Sequence, residues 1–517
     1  MENYKMAEKM SNVHSDIRGP LFVEAMKMQE EGIPVLKLNT GNPAAFGFGL
    51  PESIKNALTG HLEEGVGYCD FQGMKKSREA ICEYERKKGI KGITPEDVFI
   101  GNGVSEVVSF ALPPLLNDND EVLVPAPSYS LWGNSVYLAG GKPVFYLCDE
   151  QSKWYPDMDD IRSKITPKTK ALVVINPNNP TGALYPEEVL RQLAQIAREF
   201  HLILFVDEIY DRLVMDDLTH ISLASLAEDI PVVTMNGLSK SHCLCGYRCG
   251  WMVISGPRHL TEEYRKGVVK LTSMRLCANT LGQMVIPAAL EDMETPAAMV
   301  RPGGRIYEQR KATIDELKKI NGLSFVKNSG AFYIFPKLDI RKFQITDDKK
   351  FARDLLYATN ILLVPGSGFD WNAPDHFRIV MLPDKEVLSD AVRKIGSFLD
   401  GYKMDKTAFL SPERKERREY YGRKISPIGV QRHYEPSENW EVPGPEYFRE
   451  LERVSKEQII WGCNYFDYHF PPGRIVWDKC NGDSSFSDCE IASCSLHDSV
   501  RLFRYMWNGM FQGKSLE

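Results

Sequence analysis

The sequence predicts an α/β fold in which a mostly parallel sheet lies between layers of helices. Between residues 51 and 285, six short runs rich in β-branched and apolar residues alternate with helical patterns. These runs are near-continuously apolar, as expected of strands covered on both faces, and each stops at or beside Gly, Pro, Asn or Asp. At 517 residues and 43% hydrophobic, the chain is also long enough for a large core and more than one domain.

In order, residues 1–50 read as an N-terminal arm and part of a small domain. A helical pattern starts near Arg18-Gly19-Pro20 and stops at Gly32, and the short strand VLKLNTG runs into the turn Gly41-Asn42-Pro43. Residues 51–285 form the large domain. Its strands are expected at 97–103, 121–127, 142–148, 171–177, 202–208 and 232–237. Residues 286–403 form a second, smaller α/β unit, with helical GGRIYEQRKATIDELKKI, strands around Ser329-Gly330, then ILLVPGSGFD, HFRIVML and a closing helix. Residues 404–517 change character. A connector at 406–424 holds seven basic and three acidic residues, and Trp440, Trp461, Trp477 and Trp507 follow. Beyond it, a helix (EYFRELERVSKEQ) and two apolar runs (IIWGCNYF and RIVWDK) read as a separate module or a remnant of one.

The net charge of −7 gives no global reason to expect nucleic acid or a membrane as partner. The N-terminus lacks the apolar core of a signal peptide and no run is long enough to span a bilayer, so a cytoplasmic location is expected. Eleven cysteines without an export signal read as thiols. Cys243, Cys245 and Cys249 lack the paired spacing and histidines of a zinc site and read as packing residues, so no metal is expected.

In such sheets ligands bind beyond the carboxyl ends of the strands, so the polar residues there are the informative ones. Gly103-Val104-Ser105 open a helix and offer backbone amides to an anion. Tyr129, in PAPSYS, can cover a flat ring, or can equally be a core tyrosine. Asn176-Pro-Asn-Asn-Pro-Thr-Gly182 makes a rigid turn able to aim Asn179 inward. Asp207 ends the most apolar strand, where a carboxylate needs a partner such as a cationic ring nitrogen, and Tyr210 follows three residues later. Ser239-Lys240 sits on a small-residue turn with Arg248 eight residues on. Alone, a Ser-Lys pair is more often a surface feature. Arg378, between Phe377 and Ile379 in a strand, must reach solvent or pair with an anion, and its fork suits a carboxylate. Together these residues meet the needs of pyridoxal 5'-phosphate (PLP): a lysine for the imine, an acid for the ring nitrogen, a phosphate seat and an aromatic cover.

Residues 1 to about 403 resemble the class I/II PLP-dependent aminotransferases of fold type I, and within them the bacterial glutamate–pyruvate (alanine) aminotransferases. The resemblance rests on LNTGNPAAFGF, GNGVSE, PAPSYSLW, VVINPNNPTGALY, VDEIYD, NGLSKSHCLCGYRCGW, SMRLCAN, GAFYIFPKLD and DHFRIVMLP. It implies a seven-stranded, mostly parallel sheet and a smaller α/β domain. It also implies Lys240 as the imine-forming lysine and proton shuttle, and Asp207 as partner of the pyridinium. Tyr210 and Asn179 would bind the ring oxygen, Tyr129 would stack on the ring, and Gly103, Val104, Ser105, Ser239 and Arg248 would line the phosphate seat. Gly41, Asn179 and Arg378 would hold the amino-acid substrate, and Tyr68 would reach the cofactor of the partner subunit in a homodimer. The expected reaction is L-alanine plus 2-oxoglutarate giving pyruvate and L-glutamate. One departure is Ser241-His242-Cys243-Leu244-Cys245, where the group commonly has threonine, an aromatic and Arg-Val-Ala.

The tail resembles part of a phage-type DNA adenine or cytosine amino-methyltransferase through EYFRELERVSKEQIIWGCNYF, RIVWDKCNGDSSFSDCEIASCS and VRLFRYMWNG. The family's Asp-Pro-Pro-Tyr-Gly element has only Arg418-Glu-Tyr-Tyr-Gly422 as counterpart, so no methyl transfer is expected. Two other readings remain open: a PLP-dependent carbon–sulfur lyase, which would share Lys240, Asp207 and Arg378, and a DNA-associated fusion whose only nucleic-acid contact is the tail.

Overall fold

The computed structural model describes residues 4–404 and, beyond them, four strands between 459 and 504. The chain divides into two compact units, Met1–Met404 and Asp405–Glu517.

In the first unit, eight strands form one sheet: β1 (Val98–Asn102), β2 (Glu121–Ala126), β3 (Lys142–Asp149), β4 (Tyr155–Pro156), β5 (Thr169–Ile175), β6 (Ile203–Asp207), β7 (Val232–Gly237) and β8 (Cys249–Ser255). Their spatial order is β1-β8-β7-β6-β5-β2-β3-β4. The central neighbours β7, β6, β5, β2 and β3 are all parallel, while β8 runs antiparallel between β1 and β7, and β4 is a short antiparallel edge. The sheet thus has the seven expected strands plus the two-residue edge β4. β8, at the end of the cysteine-rich motif, was not among the strands read from the sequence, although WMVIS is an apolar run of the same kind.

Why these runs are strands is visible in their burial. Alternate residues of β5 and β6 belong to two separate cores, Leu172, Val174, Leu204 and Val206 to one, and Ala171, Val173, Ile175 and Phe205 to the other. A period of two with both faces buried is what helices on both sides of a parallel sheet require. The helix Glu187–Glu199 shows the matching pattern, burying Leu190, Leu193, Ala194 and Ala197 on one face. Each fully buried side chain of this size contributes roughly 1.5–3 kcal/mol. Register brings the carboxyl ends to one rim, with Asp207 facing Ile175 on one side and Met235 on the other.

The remaining strands pair over long distances. Leu36–Lys37 lies parallel to Ile361–Leu362, and Tyr333–Ile334 and Val364–Pro365 flank Phe377–Val380 antiparallel. They share a core with the helices Arg305–Leu317 and Lys385–Gly401, built on Ile334, Phe377, Ile379, Leu388 and Val392.

The N-terminal segment is tied down by His14. Its backbone amide donates to Asn134 Oδ1 at 3.1 Å and its carbonyl accepts from Asn134 Nδ2 at 2.6 Å. Its ring lies 3.4 Å from Asp16 and 3.0 Å from Asp370. Hydrogen bonds to these two carboxylates raise the imidazole to about 9. Because the folded value lies above the unfolded one, this tie contributes fully below pH 6.5 and is lost as pH rises through about 9. Amide exchange over residues 4–19 is therefore expected to accelerate between pH 8 and 10 beyond the intrinsic base-catalysed rise, and His14→Gln should abolish that excess.

In the second unit, Ile459–Trp461, Arg474–Asp478, Cys489–Cys494 and Val500–Arg504 form one sheet. Cys489–Cys494 pairs antiparallel with the first two, and Arg474–Asp478 pairs parallel with Val500–Arg504. The expected runs IIWGCNYF and RIVWDK each contain one of these strands. The helix expected at EYFRELERVSKEQ and the basic connector lie outside the described residues. Among the described residues no helix is long and apolar enough to cross a membrane.

Candidate active site

The rim formed by the ends of β1, β2, β5, β6 and β7 carries most of the residues singled out above. Lys240 lies in a single helical turn, Leu238–Ser241, entered directly from β7. The turn is pinned by the Gly237 amide donating to Asn236 Oδ1 at 2.7 Å. The half-buried Lys240 Nζ donates to the carbonyl of Gly41 at 2.8 Å and lies 4.0 Å from Cys245 Sγ. A residue from the N-terminal segment and the lysine after β7 are thus brought together across 199 positions of sequence.

Asp207, at the end of β6, is buried. Burial pushes its carboxyl up to about 6, against the opposing effect of two donors, the Ile209 amide at 3.2 Å and Trp132 Nε1 at 3.4 Å. Among the described residues no cation bonds it directly, whereas its neighbour Glu208, facing the other way, is met by Lys88 Nζ at 2.5 Å. A buried carboxylate left with two long hydrogen bonds fits a group that brings a positive charge to it.

Arg378 shows the complementary feature. Its guanidinium is buried, with burial lowering its pKa, and it is sandwiched between the rings of Tyr333 and Phe369, whose centroids are 4.5 Å and 4.6 Å away. Nη1 donates to Asn179 Oδ1 at 2.8 Å, Nη2 donates to the Asn39 carbonyl, and Nε has no partner among the described residues. An arginine stays charged when buried, so it needs an anion, and its partners here are neutral. The Asn176–Pro177 and Asn179–Pro180 peptides are both cis, and the turn they form carries Asn179 to this guanidinium.

At the end of β1, the helix Val104–Ala111 presents first-turn amides without intrahelical acceptors. Gly103 (φ +82°) lies under Arg248, so a Cβ there would sit 2.3 Å from Arg248 Nη2, and a Cβ on Gly250 would sit 2.4 Å from the Val104 nitrogen. Only glycine at both positions lets the arginine and the amides share one cradle, which fits a phosphate. Arg248 is itself held by donating to the carbonyls of Asn102 and Cys245. Ser105 and Arg248 are exposed, and Val104, Tyr129 and Ser239 half-buried.

The donor set therefore fits PLP in its residues: an amine, a buried uncompensated carboxylate, an anion cradle and an aromatic at Tyr129. Tyr210 pairs with Tyr333, hydroxyl to hydroxyl, at 2.8 Å. Tyr68 is 84% exposed, and among the described residues its side chain makes no hydrogen bond or ring contact. Two contacts escaped sequence reasoning: Trp132, which donates to Asp207, and Tyr333, which touches Tyr210 and Arg378. Both stand inside quoted motifs, PAPSYSLW and GAFYIFPKLD, but nothing in one dimension says which way their side chains point.

The departing segment is also placed. Cys245 Sγ donates to the Ser239 carbonyl at 3.0 Å, Cys243 Sγ approaches Met299 Sδ at 3.8 Å, and Cys249 Sγ donates to the Gly282 carbonyl at 2.7 Å. His242 is buried, which lowers it to about 4 and keeps it neutral. Among the described residues, the one group of acids and histidine close enough to share an ion is Glu208, Asp211 and His220, and Lys88 already bridges its two carboxylates.

Residues 33–395 match the family model described as aminotransferase class I and II. The chain is 48% identical over 403 residues to the glutamate-pyruvate aminotransferase AlaA of Haemophilus influenzae, covering 78% of this chain and all of that one. It is 45% identical over 401 residues to the alanine aminotransferase of Mycobacterium tuberculosis, covering 77% and 94%. Among solved structures, an Escherichia coli aminotransferase aligns over 78% of this chain and all of its own, at 47% identity and a TM-score of 0.77. An alanine aminotransferase from Pyrococcus furiosus aligns over 77% of this chain and all of its own, at 38% identity and a TM-score of 0.73.

Proposed function

Because the chain belongs to the class I and II aminotransferases, we propose that it uses PLP to move an amino group between an amino acid and a 2-oxo acid, with L-alanine and 2-oxoglutarate yielding pyruvate and L-glutamate. The observation that carries this reading is the pairing of a buried carboxylate lacking a cation, Asp207, with a buried guanidinium lacking an anion, Arg378, around one amine, Lys240. The activity named for the relatives at 45–48% identity supports the substrate pair.

When bound, the cofactor supplies an aldehyde carbon and a ring that accepts the electrons left by the departing α-proton. Each residue has a part in that chemistry. Arg378, oriented by Asn179, grips the α-carboxylate, with Gly41 beside it. Lys240 would hold the cofactor aldehyde and, as the free amine, would be the base that carries the substrate's α-proton. Asp207, oriented by Trp132 and the Ile209 amide, would keep a positive charge on the ring nitrogen. Tyr210 and Asn179 would serve the ring oxygen and Tyr129 would cover the ring face. The amides of Val104 and Ser105, above the Gly103 cradle and with Ser239 and Arg248, would hold the phosphate. The return half runs the same residues in reverse with the second oxo acid.

This reading includes a homodimer in which Tyr68 reaches the partner's phosphate. Support comes from exposed apolar side chains on the neighbouring segments, Leu62 and Val66 close by in sequence and Leu281, whose side chain lies against Gly65.

Purified protein should show a visible cofactor band that disappears with L-alanine and returns with 2-oxoglutarate. Ammonia, pyruvate and sulfide released from L-cysteine without an oxo-acid acceptor would instead identify a carbon–sulfur lyase. Arg378→Ala should raise KM for L-alanine about 100-fold, the scale expected when one member of a buried charged pair is removed, and leave the cofactor band in place. Loss of the band would move Arg378 out of the substrate role.

A further inference from the structure

Tyr333 is absorbed by none of the roles above, yet it occupies the middle of the site. It is 2% exposed and Tyr210 is 3% exposed, so the two phenols meet away from water. Their hydroxyls are 2.8 Å apart. The Tyr333 ring lies under the Arg378 guanidinium at 4.5 Å. Its hydroxyl is also packed against Gly41, where a Cβ would sit 2.3 Å from it. One side chain thus touches the proposed carboxylate-binding arginine, the glycine whose carbonyl holds Lys240, and the tyrosine proposed for the ring oxygen.

In a hydroxyl pair one member donates and the other accepts. If Tyr210 spends its proton on a bound oxyanion, its own oxygen is free to accept only from Tyr333. The cation stacked on Tyr333 makes that phenol the better donor, and donation to Tyr210 strengthens the bond Tyr210 makes onward. The groups facing this pair are Arg378 from the strand Phe377–Val380, Lys240 from the turn after β7, Tyr129 from the loop after β2 and Asp207 from the end of β6.

We propose that Tyr333 is a positioning residue that donates its hydroxyl proton to Tyr210 and so couples the substrate-carboxylate site at Arg378 to the cofactor oxygen. This rests on the aminotransferase reading above. A weaker donor to an anionic oxygen favours the protonated cofactor, so the sign of the effect is fixed in advance.

The test is a pH titration of the visible band of the PLP-loaded full-length protein, without amino acid, in wild type, Tyr333→Phe, Tyr210→Phe and the double variant. Tyr333→Phe should move the midpoint upward by about half a pH unit or more, the size expected from one lost hydrogen bond, and Tyr210→Phe should move it further. In the Tyr210→Phe background, Tyr333→Phe should add nothing, because its effect passes through Tyr210. An unchanged midpoint in Tyr333→Phe, or shifts that simply add in the double variant, would overturn the proposal while leaving the aminotransferase reading intact. A wild-type protein with no cofactor band would instead overturn that reading. A Tyr333→Phe protein that fails to retain cofactor is replaced by Tyr333→Leu, which leaves an apolar side chain beside Arg378 and no donor, with the same upward shift expected and an unchanged midpoint again overturning the proposal.

Discussion

Lys240→Ala protein is expected to lose transamination by about 10⁴-fold or more while keeping its fold, the range spanned by losing both a covalent amine and a positioned general base. The turn that carries the lysine does not depend on its side chain, since it is held by Asn236 Oδ1 accepting from the Gly237 amide and by backbone bonds from His242 and Leu244 to the Leu238 carbonyl. The Cys245 thiol, 4.0 Å from Nζ, already donates to the Ser239 carbonyl. The Tyr210 phenol, raised by burial well above its ordinary value, is a poor base at neutral pH. Single-turnover half-reactions with L-alanine, followed at the cofactor band, read the loss directly. A variant that still transaminates at more than a hundredth of the wild-type rate would sink the assignment.

How much of this was legible without coordinates depends on the range of the contact. Asp207, Lys240 and Gly103 were readable because each stands at the end of a run whose apolar composition marks it as a buried parallel strand, and position at such an end already implies the ligand side. Arg378 was readable for a related reason, as a charge between Phe377 and Ile379 in a covered strand. The pairing of Leu36–Lys37 with Ile361–Leu362 was not readable, because two-residue strands carry no periodicity and their partner is more than 300 residues away. Nor was the role of Trp132 or Tyr333. An aromatic in a motif packs in either of two directions, and only the tertiary fold decides which. The cysteine-rich SHCLC divides in the same way. Packing accounts for Cys243 and Cys249, whereas Cys245 proved to lie against the site amine, a placement that composition could not reveal.

Asp207→Asn is expected to change stability and activity in opposite directions. Burial lifts the Asp207 carboxyl from its ordinary 3.8 to about 6. Holding it ionised in the folded apoprotein at neutral pH therefore costs roughly 3 kcal/mol relative to the unfolded chain. Since the folded value is the higher one, this penalty is absent below pH 3.8, develops as pH rises towards about 6, and is complete above that. Asparagine has nearly the same shape, can still accept from the Ile209 amide, and carries no charge to desolvate. The apoprotein of Asp207→Asn should accordingly be more stable than wild type at pH 7.5, by up to a few kcal/mol, with the difference vanishing towards pH 4 in urea titrations at each pH. The same change removes the negative charge opposite the ring nitrogen and should lower kcat about 10³-fold, the scale of losing one preorganised electrostatic contact. A gain in apoprotein stability coupled to a loss of turnover is the signature of a carboxylate kept for chemistry at the expense of the fold. A variant that lost both together would mean that Asp207 holds the rim of the sheet in place and that the cation it awaits is not the cofactor's.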